Sequence, residues 1–97
     1  MPMYVGLYKL TEKGASDIKG SPERVQQAMK AWEAMGGKIT AVVATMGEYD
    51  FVSVGEAPSD EAAVMHSAAL VSTGTVTAQT LRAFTPEEFA ALVAKLP

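Results

Sequence analysis

The chain reads as an α+β protein: an antiparallel sheet with its two main helices on one face and a short helix at the C-terminal end. Three observations predict it. Strand-length runs rich in β-branched and aromatic residues alternate with stretches whose apolar residues recur at three- and four-residue spacing. The helical stretches open on Ser or Thr followed by Pro or acidic residues. The order is strand, helix, strand, strand, helix, strand, then a terminal helix, which is the split βαβ (βαββαβ, ferredoxin-like) pattern.

Met3 to Leu10, rich in Val, Leu and Tyr, is the first strand. Thr11 to Gly20 is polar and broken by Gly14 and Gly20, a loop with room for a helical turn. Ser21-Pro22-Glu23 starts the first main helix with Ser21 at the N-cap. Val25, Ala28, Met29, Trp32 and Met35 form its apolar stripe, and Gly36-Gly37 end it. Lys38 to Met46 is the second strand and Tyr49 to Glu56 the third, joined at Gly47-Glu48 as a tight hairpin. Ala57-Pro58 stops that strand, and Ser59-Asp60-Glu61 cap a second helix that runs to Thr73 and closes at Gly74. Thr75 to Phe84 is the fourth strand. Thr85-Pro86-Glu87-Glu88 combines a capping box with Pro at the first helical position, and Phe89, Leu92, Val93 and Leu96 follow at helical spacing.

Ninety-seven residues make one domain, 1–97, and no repeat or linker interrupts them. Eight Lys and Arg against eleven Asp and Glu give a net charge of −3, with the basic residues scattered. Nucleic-acid binding is not expected, because phosphate recognition needs a concentrated positive field. There is no cysteine, so no disulfide, thiolate nucleophile or Cys-ligated metal is expected. A single histidine, His66, speaks against the usual multi-His metal sites. The N-terminal residues lack a charged leader and a long apolar run, and no stretch approaches the ~20 apolar residues that span a bilayer. A cytoplasmic location without membrane contact is the default expectation, and neither cofactor nor metal is implied.

A sheet covered on one side should alternate apolar and polar residues, and this one does so poorly. We assign Val5, Leu7, Val52 and Val54 to the helix side, which leaves Tyr4, Tyr8, Tyr49 and Phe51 on the open side. Leaving that face in water would forgo roughly 1.5–3 kcal/mol per large side chain. Self-association, most simply two sheets packed around a two-fold axis, is therefore expected.

Chemistry-bearing residues are few. Tyr49 and Asp50 are the candidate catalytic pair, a phenol acid and a carboxylate base, although neighbouring strand residues point to opposite faces. Asp50 reads more readily as an acceptor for backbone N–H groups near the turn. Lys19, Arg24, Lys38 and Arg82 are the cations best able to hold an anionic ligand, with Arg24 in the first turn of its helix; Lys19, Arg24 and Arg82, with Tyr4 and Tyr8, are the ligand-binding candidates. Arg24 has the plainer alternative of pairing with Asp17 or Glu12 at the surface. His66 lies mid-helix with no partner that would orient it, the usual mark of a surface or interface residue. Glu48, Asp50, Glu56, Asp60 and Glu61 crowd one end of the third strand without Ca²⁺-loop spacing.

Taken end to end, the chain resembles the GYD family of small domains. The matching pieces are Tyr4-Val5 with Leu7, Thr11-x-x-Gly14, Ile18-Lys19-x-Ser21-Pro22-x-Arg24, Gly36-Gly37-Lys38 and Thr45-Met46-Gly47-Glu48-Tyr49-Asp50. Later come Glu56-Ala57-Pro58-x-Asp60-Glu61, Gly74-x-Val76-x-x-x-Thr80-Leu81-Arg82-Ala83-Phe84 and Glu87-Glu88-Phe89. Thr75 and Thr77 depart from the pattern, standing where members often show a small polar residue and a basic one. The resemblance implies a ferredoxin-like fold of the dimeric α/β-barrel kind and leaves the activity open. Two readings follow: a homo-oligomeric small-molecule-binding module, or a cofactor-independent enzyme, monooxygenase- or isomerase-like, acting on a small aromatic or carbonyl compound. The second needs at least two of Tyr49, Asp50, Arg24 and Arg82 to converge on one cavity.

Overall fold

A computed structural model describes all of residues 1–97. Its elements are β1 (Met3–Leu10), α1 (Glu12–Ser16), one 3₁₀ turn (Ile18–Gly20), α2 (Ser21–Ala34), β2 (Lys38–Ala44), β3 (Phe51–Glu56), α3 (Asp60–Ser72), β4 (Val76–Ala83) and α4 (Pro86–Val93). The four strands form one antiparallel sheet in the order β2-β3-β1-β4. With α2 and α3 on one face, this is the ferredoxin-like α+β fold that the sequence predicts.

Local chemistry explains the boundaries. The Thr11 hydroxyl accepts the Gly14 N–H and caps α1, so the polar loop becomes a short helix. Ser21 is not a cap, contrary to the expectation. The 3₁₀ turn runs straight into α2, so Ser21 is already helical and its hydroxyl donates to the Ile18 carbonyl at 2.6 Å. Gly36, at φ +96°, supplies the left-handed residue after α2. Ser59 caps α3, and the Thr85–Glu88 capping box opens α4 as predicted. There the Thr85 N–H donates to the Glu88 carboxylate at 2.8 Å and holds its pKa below the usual range.

The β2–β3 hairpin is looser than the tight Gly47-Glu48 turn expected. β2 ends at Ala44 and β3 begins at Phe51, so Tyr49 and Asp50 lie in the connection. The end of β1 pulls them out of the ladder. The Asp50 N–H donates to the Tyr8 carbonyl at 2.8 Å, and its carboxylate accepts the Leu10 N–H at 2.7 Å.

The two faces of the sheet are the reverse of the sequence assignment. Tyr4 is 5% exposed and packs edge-on against Trp32 of α2. Since faces alternate along a strand, the register places Tyr4, Gly6 and Tyr8 with Phe51, Ser53 and Gly55 toward the helices. Val5, Leu7, Val52 and Val54 lie on the open face, joined by Val43 of β2 and Leu81 of β4. Of the aromatics assigned to the open face, Tyr49 alone is there: its hydroxyl donates to the Gln79 side chain at 3.1 Å, and Lys9 sits 5.3 Å from its ring centre.

The packing has a central wedge. The Trp32 indole lies against Gly37 and Gly55 and donates Nε1–H to the Lys38 carbonyl at 3.1 Å. Its other neighbours are Tyr4, with ring centres 6.4 Å apart, and His66, at 5.1 Å, both edge-on. Around this wedge little else is sealed: seven of 97 residues are buried, and the radius of gyration is 14.7 Å, above the roughly 12.5 Å of a compact chain this long. The apolar stripe of α4 is open, with Phe89 62% exposed, as are Val64 and Met65 on the outer side of α3.

A Cβ at Gly55 would stand 2.7 Å from the Lys38 carbonyl oxygen and 3.2 Å from Trp32 Nε1. Gly55→Ala is expected to lower stability by roughly 1–3 kcal/mol in urea unfolding; wild-type stability would show that the wedge tolerates displacement.

Candidate functional site

Between the sheet and the two helices lies a cavity of about 260 Å³. Its floor follows from small residues in one cross-strand row: Ser53 of β3, Gly6 of β1 and Thr80 of β4 stand side by side. The bare Gly6 backbone leaves room for the Tyr8 hydroxyl and Ser53 Oγ, which a Cβ at this position would push aside. Trp32, Val25, His66, Ser67 and Leu70 come down from α2 and α3, and Phe51 and Val76 close the floor at one end.

The polar groups of this cavity differ in how they are satisfied. Ser67 and Thr80 pair their hydroxyls between α3 and β4. His66 Nε2 lies 2.9 Å from the Ala28 carbonyl, which can only accept, so this nitrogen carries the proton; Nδ1 is buried without a partner. Tyr8 OH and Ser53 Oγ are 3.4 Å apart, beyond the about 2.5–3.0 Å of a well-made hydroxyl bond.

At the other side of Trp32, the Tyr4 hydroxyl donates to the Asp60 carboxylate in the first turn of α3. Burial pushes the Tyr4 phenol from 10.0 up to about 12; the hydrogen bond and charge of Asp60 add to this, and Arg82 opposes it.

The candidates named from the sequence divide between places. Tyr4, Tyr8 and Arg24 line the cavity. The Arg24 guanidinium is already engaged, donating to the Asp17 carboxylate at 2.9 Å, the Asp17 carbonyl at 3.0 Å and the Gly14 carbonyl at 3.4 Å. Lys19 is exposed on the 3₁₀ turn. Arg82 lies over the Phe84 ring at 4.7 Å and the Tyr4 ring at 5.8 Å, and donates to the Ala83 carbonyl. Tyr49 crosses the open face of the sheet, and Asp50 binds the end of β1, not the turn amides expected. The carboxylates near β3 do not gather: Glu48 pairs with Lys9 at 3.2 Å, and Asp60 accepts the hydrogen bond of the Tyr4 hydroxyl.

His66, Ser67, Ser53 and Thr80 were missed as site residues. A signal for the first two exists in the chain: Ala63, His66, Ser67 and Leu70 recur at helical spacing as the sheet-facing stripe of α3. For the floor, Gly6 and Gly55 inside strands mark close approach by another group.

Fold and site together define a small ferredoxin-like α+β protein with a mostly apolar cavity under its helices. The chain belongs to the GYD domain family, whose profile matches residues 4–93. It is similar to a protein of Thermus thermophilus named glutamine synthetase and cystathionine beta-lyase binding protein, with 34% identity over 84 residues, 86% of this chain and 88% of that one. No solved structure matches it.

The Tyr4 proton is held more tightly in the folded chain than in the unfolded one. Its contribution to stability is complete below pH 10 and lost as pH rises toward 12. The stability difference between wild type and Tyr4→Phe, measured in urea, is expected to be constant up to pH 10 and to fall above it by roughly 2–3 kcal/mol at most. A pH-independent difference would mean that this phenol titrates as it does in water.

Proposed function

We propose that this chain is a homo-oligomeric binding module that holds a small molecule between its sheet and its helices. The cavity of about 260 Å³ is the observation that supports it, because a chain this sparsely buried leaves that space unfilled by its own side chains. An enzyme built on Tyr49, Asp50, Arg24 and Arg82 would bring two of them into one cavity; Arg24 is the one that lines it. The binding reading is therefore the better supported.

Self-association rests on the opposite face of the sheet. Val5, Leu7, Val52, Val54, Val43 and Leu81 make a continuous aliphatic surface, with Val43 50% and Leu81 40% exposed. A second copy is its proposed occupant, since a two-fold axis lets the same surface cover itself. A protein partner of the kind for which the Thermus relative is named belongs to the same reading, supported by that name and by the exposed apolar side of α3.

The native mass is expected to be a multiple of the 10.2 kDa chain, and Leu81→Lys, which sets a charge beside Val5, is expected to reduce it to one chain. A wild-type monomer would overturn self-association. In a thermal-shift screen of small metabolites, at least one compound is expected to raise the melting temperature in proportion to the logarithm of its concentration. A flat response throughout would overturn the binding reading.

A further inference from the structure

The chemistry of the cavity narrows what it can hold. Its lining contains no Asp, Glu or Lys, and Arg24 is the one residue there with a permanent charge. That guanidinium already makes three hydrogen bonds to Asp17 and Gly14. An anion entering would give up its hydration without meeting a free cation, and a cation would meet no carboxylate. The sequence, with Lys19, Arg24 and Arg82 in view, suggested an anionic ligand; the structure places two of these outside the cavity and the third in an ion pair.

The walls also set shape and anchor. Trp32, Tyr8 and Phe51 contribute ring surfaces, with Val25, Leu70 and Val76 between them. A dry apolar cavity of about 150 Å³ already accepts benzene, so this one has room for a ring bearing a substituent. At the floor, Tyr8 OH and Ser53 Oγ stand 3.4 Å apart over Gly6, each short of a good partner. An oxygen placed between them would take a hydrogen bond from one and share one with the other.

We infer that the ligand is a neutral, ring-sized molecule with a hydroxyl or carbonyl group, seated in the cavity and anchored by Tyr8 and Ser53. This rests on the reading of the cavity as a ligand site. Both residues are binding residues in it; no chemical step is assigned to them.

The test is a set of four probes with one ring and different heads: benzyl alcohol, toluene, benzoate and benzylammonium, titrated at neutral pH into the protein in its native state. Trp32 is the chain's single tryptophan, so its indole N–H resonance reports occupancy of this cavity. Benzyl alcohol is expected to shift that resonance with at least tenfold higher affinity than either charged probe, and more tightly than toluene. In Tyr8→Phe/Ser53→Ala, whose folding is checked by circular dichroism, the preference for benzyl alcohol over toluene is expected to vanish while toluene still binds. Benzoate or benzylammonium binding as well as the alcohol would overturn the neutral-ligand inference and leave the cavity reading standing. Retention of the alcohol preference in the double variant would overturn the anchor. Silence of the indole signal with all four probes would overturn both.

Discussion

Trp32 is the residue through which the sheet and helices of this chain meet. Its indole touches Gly37 at the entry to β2 and Gly55 in β3, packs edge-on against Tyr4 of β1 and His66 of α3, and bonds the Lys38 carbonyl. One side chain of α2 thereby contacts three strands and the second helix. Such a wedge needs empty space at the sheet surface, which is why glycine stands at positions 37 and 55. It also holds the helices off the sheet, so the small floor residues beside it, Gly6, Ser53 and Thr80, leave a hollow.

The hollow and the open sheet face are two consequences of one composition. A chain of 97 residues has too little interior to seal both faces of a four-stranded sheet with two helices. Here the large aromatics Tyr4, Tyr8 and Phe51 go toward the helices and bridge the gap, while the compact aliphatics lie on the other face. A flat aliphatic surface suits another flat surface, and a hollow lined by rings and hydroxyls suits a small molecule. Both readings link stability to occupancy, because whatever binds the folded chain alone also stabilises it.

Polar residues at the rim mostly serve the backbone. Asp50 satisfies the Leu10 N–H where β1 runs out of partners, and Arg24 ties α2 to the Gly14–Asp17 turn. Tyr4 and Asp60 join the start of β1 to the start of α3. The Arg24–Asp17 pair, seven residues apart, was legible in the sequence, whereas the Asp50–Leu10 and Tyr4–Asp60 bonds join segments far apart in the chain and are visible only in the fold. A list of acids, bases and cations therefore pointed to Tyr49, Asp50 and Arg82 before it pointed to Ser53 or His66.

Strand runs, the helical stripe of α2, the Ser59 cap and the Thr85–Glu88 capping box are local features. Local features are decided by neighbours within four residues, so the sequence by itself determined the order of elements and hence the ferredoxin-like fold. Ser21 and the Gly47-Glu48 turn were misjudged because a preceding 3₁₀ turn and the end of β1, respectively, outcompeted the local preference. Which face of the sheet meets the helices was not local at all. Both faces are apolar, alternation fits either assignment, and the choice fell to where Trp32 could seat against glycine. Only the tertiary structure could therefore decide that Tyr8 and Ser53 face a cavity while Tyr49 crosses the opposite side, because a side chain's surroundings depend on which distant strand lies beside it.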